Sequence, residues 1–293
     1  MNGIIVINKP KGYTSHDVVA KVKKILNLKK VGHTGTLDPN ATGVLPLLLN
    51  DGTKLSKYLI EHDKEYEVTL KLGIKTDTAD SEGNIIEQKE VGSLENTEEI
   101  LKTFIGKQEQ IPPMYSAIKV NGKKLYEYAR AGQEVEIKPR EIEIYNIELL
   151  EINKIENELK FKVACSKGTY IRSLCEDIAK RMGTVGYMKE LNRTKVGKFR
   201  IYEAITLEQL EENKNSIKFL KEHIITMKEL FKSYEKIELN DRELEKFLNG
   251  VKIYTQKEDG LYNIYNKENY IGLAIVKEKC AKRDLIVCNK NVI

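Results

Sequence analysis

The chain has 293 residues, 41% apolar and 32% charged, a balance that excludes disorder over the whole length and gives an expectation of about two domains. Apolar runs such as Gly3–Ile7 end after about five residues, far short of the ~20 a membrane-spanning helix requires, and the first residues lack the basic start and long apolar segment of a secretory signal. A soluble, cytoplasmic, monomeric protein without membrane contact is expected. Net charge is +5, distributed as +6 over residues 1–60, −7 over 61–117, +6 over 118–200 and zero over 201–293. Two basic blocks flanking an acidic one suit a polyanionic partner, although a lysine-rich composition (41 of 49 basic residues) accounts for the same numbers.

The apolar stretch Ile4–Ile7 reads as a strand, closed by a Pro10/Gly12 turn. Thr14–Ser15 then offers an N-cap for a helix whose apolar positions are Val18, Val19, Val22, Ile25 and Leu26. Residues 31–46 are rich in Gly, Thr and Pro and read as too broken for a regular element. Alternation of Tyr66, Val68, Leu70 and Leu72 predicts a strand over 64–72, followed by an acidic turn at 77–84 and a helix over 94–105. Further strands are expected at 115–119, 140–150 and 158–166, with helices at 123–131 and 170–182. This order lacks regular βαβ alternation and argues for an α+β fold with a mixed, largely antiparallel sheet flanked by helices. A second, β-rich unit of about 60 residues is expected from Ser233 to the end, near the lower size limit for independent folding. It comprises a helix over 240–248 and strands near 251–254, 261–266, 270–277 and 284–288, packed against residues 1–232.

Four cysteines (Cys165, Cys175, Cys280, Cys288) show no C-x-x-C spacing, and no His pair has zinc-site spacing. Neither a metal nor a disulfide framework is expected, and no Walker or dinucleotide-binding glycine pattern is present. Thr34–Leu37 resembles the phosphorylation motif of ion-pumping ATPases, but the acceptor position falls on Gly32, which removes that chemistry.

Two constellations can carry chemistry. Asp38, before Pro39, is biased away from helical backbone, and Gly32, Gly35 and Gly43 let another molecule come close. A carboxylate on such a loop serves as nucleophile or general base, or merely caps a local turn. At Cys165–Leu174 a strand ends and a helix begins. Arg172, in the first turn of that helix, opposes the helix dipole, which points to a committed partner: a carboxylate or a phosphate. Asn8–Tyr13 and Leu191–Arg200 interleave basic and aromatic residues and read as contact surfaces for a nucleic acid or as exposed loops.

Read as one ordered set, these segments resemble the TruB family of tRNA pseudouridine synthases. The segments are Asn8-Lys9-Pro10 with Gly12–Ser15, Gly32–Pro39 with Ala41–Pro46, Lys64–Tyr66, Pro112–Lys119, Gly122–Arg130, Gly168–Arg172 and Leu191–Thr194. The resemblance implies base flipping of a T-loop uridine of tRNA and exchange of its C1′–N1 bond for a C1′–C5 bond, with no metal or organic cofactor. It implies Asp38 as the catalytic aspartate, Arg172 as its ion-pair partner and Tyr66 as the ring that stacks on the target base. Tyr170 and Leu191 would line the uracil pocket, Lys9 would support the site, and His33 would contact the displaced T-loop. Residues 233–293 resemble a PUA-type RNA-binding domain, and residues 1–232 would form the catalytic domain. Two other readings share the basic surfaces: an RNA chaperone that grips the T-arm without chemistry, and a sister synthase acting on ribosomal or guide-directed RNA.

Overall fold

A computed structural model describes residues 1–59, 62–133 and 135–287; Cys288 and the end of the last expected strand lie outside them. The main sheet runs in the order Ile224–Ile225, Gly3–Lys9, Thr42–Leu49, Gly186–Val196, Lys64–Leu72, Glu158–Cys165, Arg140–Asn153 and Gly106–Gln110. Every neighbouring pair in this path is antiparallel except Thr42–Leu49 beside Gly186–Val196, which run parallel with Asn192 opposite Thr42 and Arg193 opposite Gly43. Short strands at Val31–His33 and Phe199–Arg200 pair with Thr42–Leu49 and Gly186–Val196. The expected α+β fold with a mixed, largely antiparallel sheet is therefore observed.

Sequence pattern explains where each strand lies. Ile4, Ile5, Val6 and Ile7 are all buried because both faces of their strand are covered, which is why the run is continuously apolar rather than alternating. On one side Ile5 and Ile7 meet Val18 and Val22 of the helix Ser15–Ile25; on the other Ile4 and Val6 meet Leu55, Phe199 and Phe231. That helix begins as expected, with a reciprocal capping box between Thr14 and Asp17. In Lys64–Leu72 the residues Tyr66, Val68, Leu70 and Leu72 face a core shared with Ile171, Leu174 and Ile178 of the helix Ile171–Arg181.

Several expectations are corrected. The second half of the Gly/Thr/Pro-rich stretch is regular: Thr42–Leu49 is a buried central strand. Gly43 is required there, with φ of +108° and an added Cβ falling 2.3 Å from the Arg193 carbonyl oxygen. The close neighbour is the chain's own backbone, not a bound molecule. Residues 114–117 form bends, and only Lys119–Val120 is strand, paired with Lys123–Lys124 ahead of a short helix at Leu125–Arg130. Finally, Leu191–Val196 is no exposed loop but part of the central strand Gly186–Val196, with Arg193 1% exposed. The helix expected over 94–105 is confined to Thr97–Lys102.

The C-terminal part forms a separate five-stranded sheet in the order Lys236–Glu238, Gly260–Asn266, Asn269–Lys277, Cys280–Ile286 and Ile253–Tyr254. The helix Asp241–Leu248 packs on it, N-capped by Asn240. Leu273 and Leu285 of this sheet join the apolar cluster of Ile4, Val44 and Phe231, and Asn263 Nδ2 donates to the carbonyls of Phe231 and Tyr234 at 2.8 and 2.9 Å. The two sheets are thus packed together. Among the described residues no helix is long and apolar enough to cross a membrane.

Candidate active site

The loop between Val31–His33 and Thr42–Leu49 carries Asp38 and enters the sheet at its one parallel junction. Ser15 holds the loop by a two-way hydrogen bond, accepting from Leu37 N at 2.9 Å and donating to Leu37 O at 3.2 Å. Gly12 N donates to the Pro39 carbonyl at 2.9 Å, and Ala41 N closes a turn onto Asp38 O at 3.1 Å. Two buried cations complete the grip. The Lys9 ammonium donates to the carbonyls of Pro10, Tyr13 and Pro39 at 3.0, 2.6 and 2.9 Å, so its three donors meet three acceptors. Arg193 donates from Nε to Val44 O at 2.8 Å, and from Nη1 and Nη2 to Thr36 O and Gly35 O at 3.2 Å each.

Arg172 approaches Asp38 from the other side. Its Nε lies 3.4 Å from Asp38 Oδ2, and its Nη1 lies 3.5 Å from Asp80 Oδ2. Nη2 donates to the Tyr115 carbonyl at 2.8 Å. The arginine is 7% exposed, and the partner anticipated as carboxylate or phosphate is a pair of carboxylates. Asp80 is itself fixed, accepting at Oδ1 from Thr78 Oγ1 at 2.6 Å and Glu82 N at 3.0 Å. The start of the Arg172 helix is pinned by Gln110, whose side chain accepts from Tyr170 N at 2.8 Å and donates to Tyr170 O at 3.0 Å.

Around this ion pair opens a cleft of about 480 Å³. Asp38, Tyr66, Tyr170, Arg172 and Leu191 all line it, so five of the seven expected site residues meet at one place. Leu37, Ile171 and Met188 add apolar wall; Lys64, Tyr115, Ser116 and Tyr126 add polar groups. Tyr66 is buried, which pushes its phenol up to about 12 against the opposing pull of Arg193, so the ring is neutral at physiological pH. Cys165, also buried, is raised to about 12 by the same desolvation and is no thiolate nucleophile at neutral pH.

Lys9 and His33 do not line the cleft. Lys9, read from sequence as part of a basic contact turn, is fully buried. It supports the site through the Pro39 carbonyl, and burial lowers its pKa to about 8, with Arg193 adding to the fall and Asp38 opposing it. His33 sits half-buried in its strand opposite Leu47; burial and Arg193 lower its imidazole pKa, and its Nδ1 has no partner among the described residues. Sequence reasoning missed Asp80 and Arg193 as site residues. The scarcity of arginine was the available signal for Arg193, since only eight occur in the chain. Among the described residues no group of three His, Cys, Asp or Glu is placed to hold a metal ion.

Comparison with known proteins identifies the family. Residues 23–171 match the model of the TruB family pseudouridylate synthase N-terminal domain, and residues 172–232 match the tRNA pseudouridylate synthase B C-terminal domain. A tRNA pseudouridine synthase B from Oceanobacillus iheyensis is 45% identical over 263 residues, 88% of this chain and 86% of that protein. One from Clostridium tetani is 44% identical over 281 residues, 93% and 95% of the two chains. The solved H/ACA RNP bound to a substrate RNA containing 2′-deoxyuridine contains a similar chain, with a TM-score of 0.70, 25% identity and coverage of 99% and 86%. With family models spanning 23–232 and relatives this similar along nearly its whole length, the chain belongs to the TruB family of pseudouridine synthases.

Proposed function

We propose that this enzyme acts on tRNA and isomerises a uridine of the T-loop. The carrying observation is the Asp38–Arg172 ion pair at the wall of a cleft lined by Tyr66 and Leu191. The substrate class is supported by the names of the relatives, which cover nearly the whole chain. A uridine folded into a loop must be everted before its glycosidic bond is reachable, at a cost of a few kcal/mol. Stacking on Tyr66 returns roughly 1–3 kcal/mol. Arg172, held at Nη1 by Asp80 and at Nη2 by the Tyr115 carbonyl, presents its Nε to Asp38 Oδ2 and so fixes the carboxylate's direction. The C1′–N1 bond breaks and a C1′–C5 bond forms; the proton leaves C5 and N1 acquires one, so no other reactant is consumed. While the base turns between the two bonds, Leu37, Met188 and Leu191 keep water from its ring.

The segment Lys119–Arg130 faces this cleft through Tyr126 and carries a basic and aromatic surface. Lys123 lies over the Tyr128 ring at 4.7 Å, and Lys124 and Arg130 lie 5.2 and 5.5 Å from that of Tyr126. This suits the RNA backbone beside the everted base. The sheet over residues 236–286 is assigned to a PUA-like RNA-binding domain that meets another part of the same tRNA.

The test is a T-arm transcript incubated with enzyme and no added cofactor, with pseudouridine mapped at each uridine. Asp38→Asn is expected to abolish product while leaving RNA affinity within a few fold. Full activity in that variant, or modification confined to uridines outside the T-loop, refutes the assignment.

A further inference from the structure

One residue of the cleft lining carries a hydroxyl that the fold covers and leaves unpaired among the described residues. Ser116 is 5% exposed, and its hydroxyl oxygen is buried without a hydrogen-bond partner among the described residues. Its backbone is held: Ser116 N donates to Met114 O at 2.9 Å, and Ser116 O accepts from Tyr126 N at 3.1 Å. The preceding carbonyl, that of Tyr115, is the one gripped by Arg172, so Ser116 stands one residue away from the guanidinium that pairs with Asp38. Thr169, also in the cleft lining, already spends its Oγ1 on the Ser166 carbonyl at 3.0 Å.

A buried hydroxyl without a partner costs the free protein stability, and a fold retains such a group where a ligand completes it. An everted uracil brings a polar edge, O4 and N3–H, into a cleft whose Leu37, Met188, Leu191 and Ile171 offer only apolar surface. We propose that Ser116 is a substrate-contact residue whose hydroxyl, covered in the free protein, turns about its Cα–Cβ bond to hydrogen-bond that edge of the flipped uracil. A hydroxyl both donates and accepts, so it serves either group. The assignment rests on the proposed function and adds the partner of the base itself.

The experiment compares wild type with Ser116→Ala on the T-arm transcript, measuring kcat, KM and thermal unfolding. The variant is expected to lose about tenfold in kcat/KM, the ~1.4 kcal/mol of one neutral hydrogen bond. Its melting temperature should stay level or rise, because the substitution removes an unsatisfied buried group. A merely structural serine would lower the melting temperature instead, and that result overturns the proposal. Transcripts with 4-thiouridine or 2′-deoxyuridine at the target position identify the contact. The penalty for sulfur, a weak acceptor, should shrink in Ser116→Ala, whereas the 2′-deoxy penalty should be equal in both proteins. Unchanged kcat/KM in Ser116→Ala, or coupling to the 2′-deoxy rather than the 4-thio substrate, sinks the contact and leaves the enzyme's function standing. Absence of pseudouridine in the wild-type reaction sinks the function on which it rests.

Discussion

On one side of the cleft, the loop bearing Asp38 is gripped through its backbone by Ser15, Lys9 and Arg193. The opposite wall, residues 113–130, makes its hydrogen bonds mostly within itself and is tied to the body by Arg172 on the Tyr115 carbonyl. The contrast separates two tasks. The side that carries the carboxylate is preorganised, as a group that must meet a reacting atom in fixed geometry requires. The side that meets the rest of the RNA has fewer anchors and a lower cost of local movement. Arg172 belongs to both, since one guanidinium touches Asp38 and the Tyr115 carbonyl.

If the gripped side is held as described, breaking the grip has the largest effect. Arg193→Leu leaves the carbonyls of Gly35, Thr36 and Val44 without their buried donor. At roughly 1–3 kcal/mol for each unsatisfied group, less what relaxation recovers, a loss of about 3–5 kcal/mol in urea unfolding is expected. In the protein that still folds, kcat should fall well over tenfold with KM little changed, and Arg193→Lys should recover part of both. Stability within 1 kcal/mol of wild type, on the order of one ordinary hydrogen bond, together with full kcat would mean that the loop is held by something else.

The same contrast explains what could be read in the chain. Gly3–Lys9 and Lys64–Leu72 were legible because burial on two faces gives a continuous apolar run, and burial on one gives alternation. Of the five residues that meet in the cleft, Asp38 and Arg172 stood out by their local setting, whereas Tyr66, Tyr170 and Leu191 were reached only through the ordered motifs. Arg193 was hidden for a physical reason. Its strand carries irregularities between Met188 and Glu190 and between Arg193 and Lys195, which break the period of two and make a buried strand look like a polar loop. A fully buried guanidinium satisfied by carbonyls leaves no acidic partner in the sequence to betray it. Asp80 was masked differently, lying in an acidic turn where solvent-facing carboxylates are the ordinary case.

A second way to sharpen the comparison uses pH. Lys9 has a folded pKa of about 8 against an ordinary 10.5, so below about 8 both folded and unfolded chains carry its proton and the charged form bears the full cost of burial. Between about 8 and 10.5 the unfolded chain binds more protons than the folded one at this residue. Its contribution to stability therefore rises with pH, at up to ~1.4 kcal/mol per pH unit. Lys9→Met should lack that component. The difference in unfolding free energy, wild type minus variant, should climb across this window in urea titrations at stepped pH. A flat difference would show that Lys9 is not desolvated beneath the loop. Neutral Lys9 also has one donor fewer for its three carbonyls, so kcat should decline through the same window.

The loosely tied wall should answer to substitution in the opposite manner. Lys119 is exposed at the base of the Lys119–Lys124 hairpin, opposite Lys124, and among the described residues it supports no loop and satisfies no buried carbonyl. Lys119→Ala should leave kcat and unfolding unchanged and raise KM by about two- to threefold, the modest share of one exposed phosphate contact. The slope of log affinity against log salt should become shallower by about 0.7–0.9, the signature of one lost phosphate contact. A drop in kcat with the salt slope intact would place Lys119 among the groups that hold the chemistry. The division between a fixed wall for the carboxylate and an adaptable wall for the RNA would then fail at its simplest point.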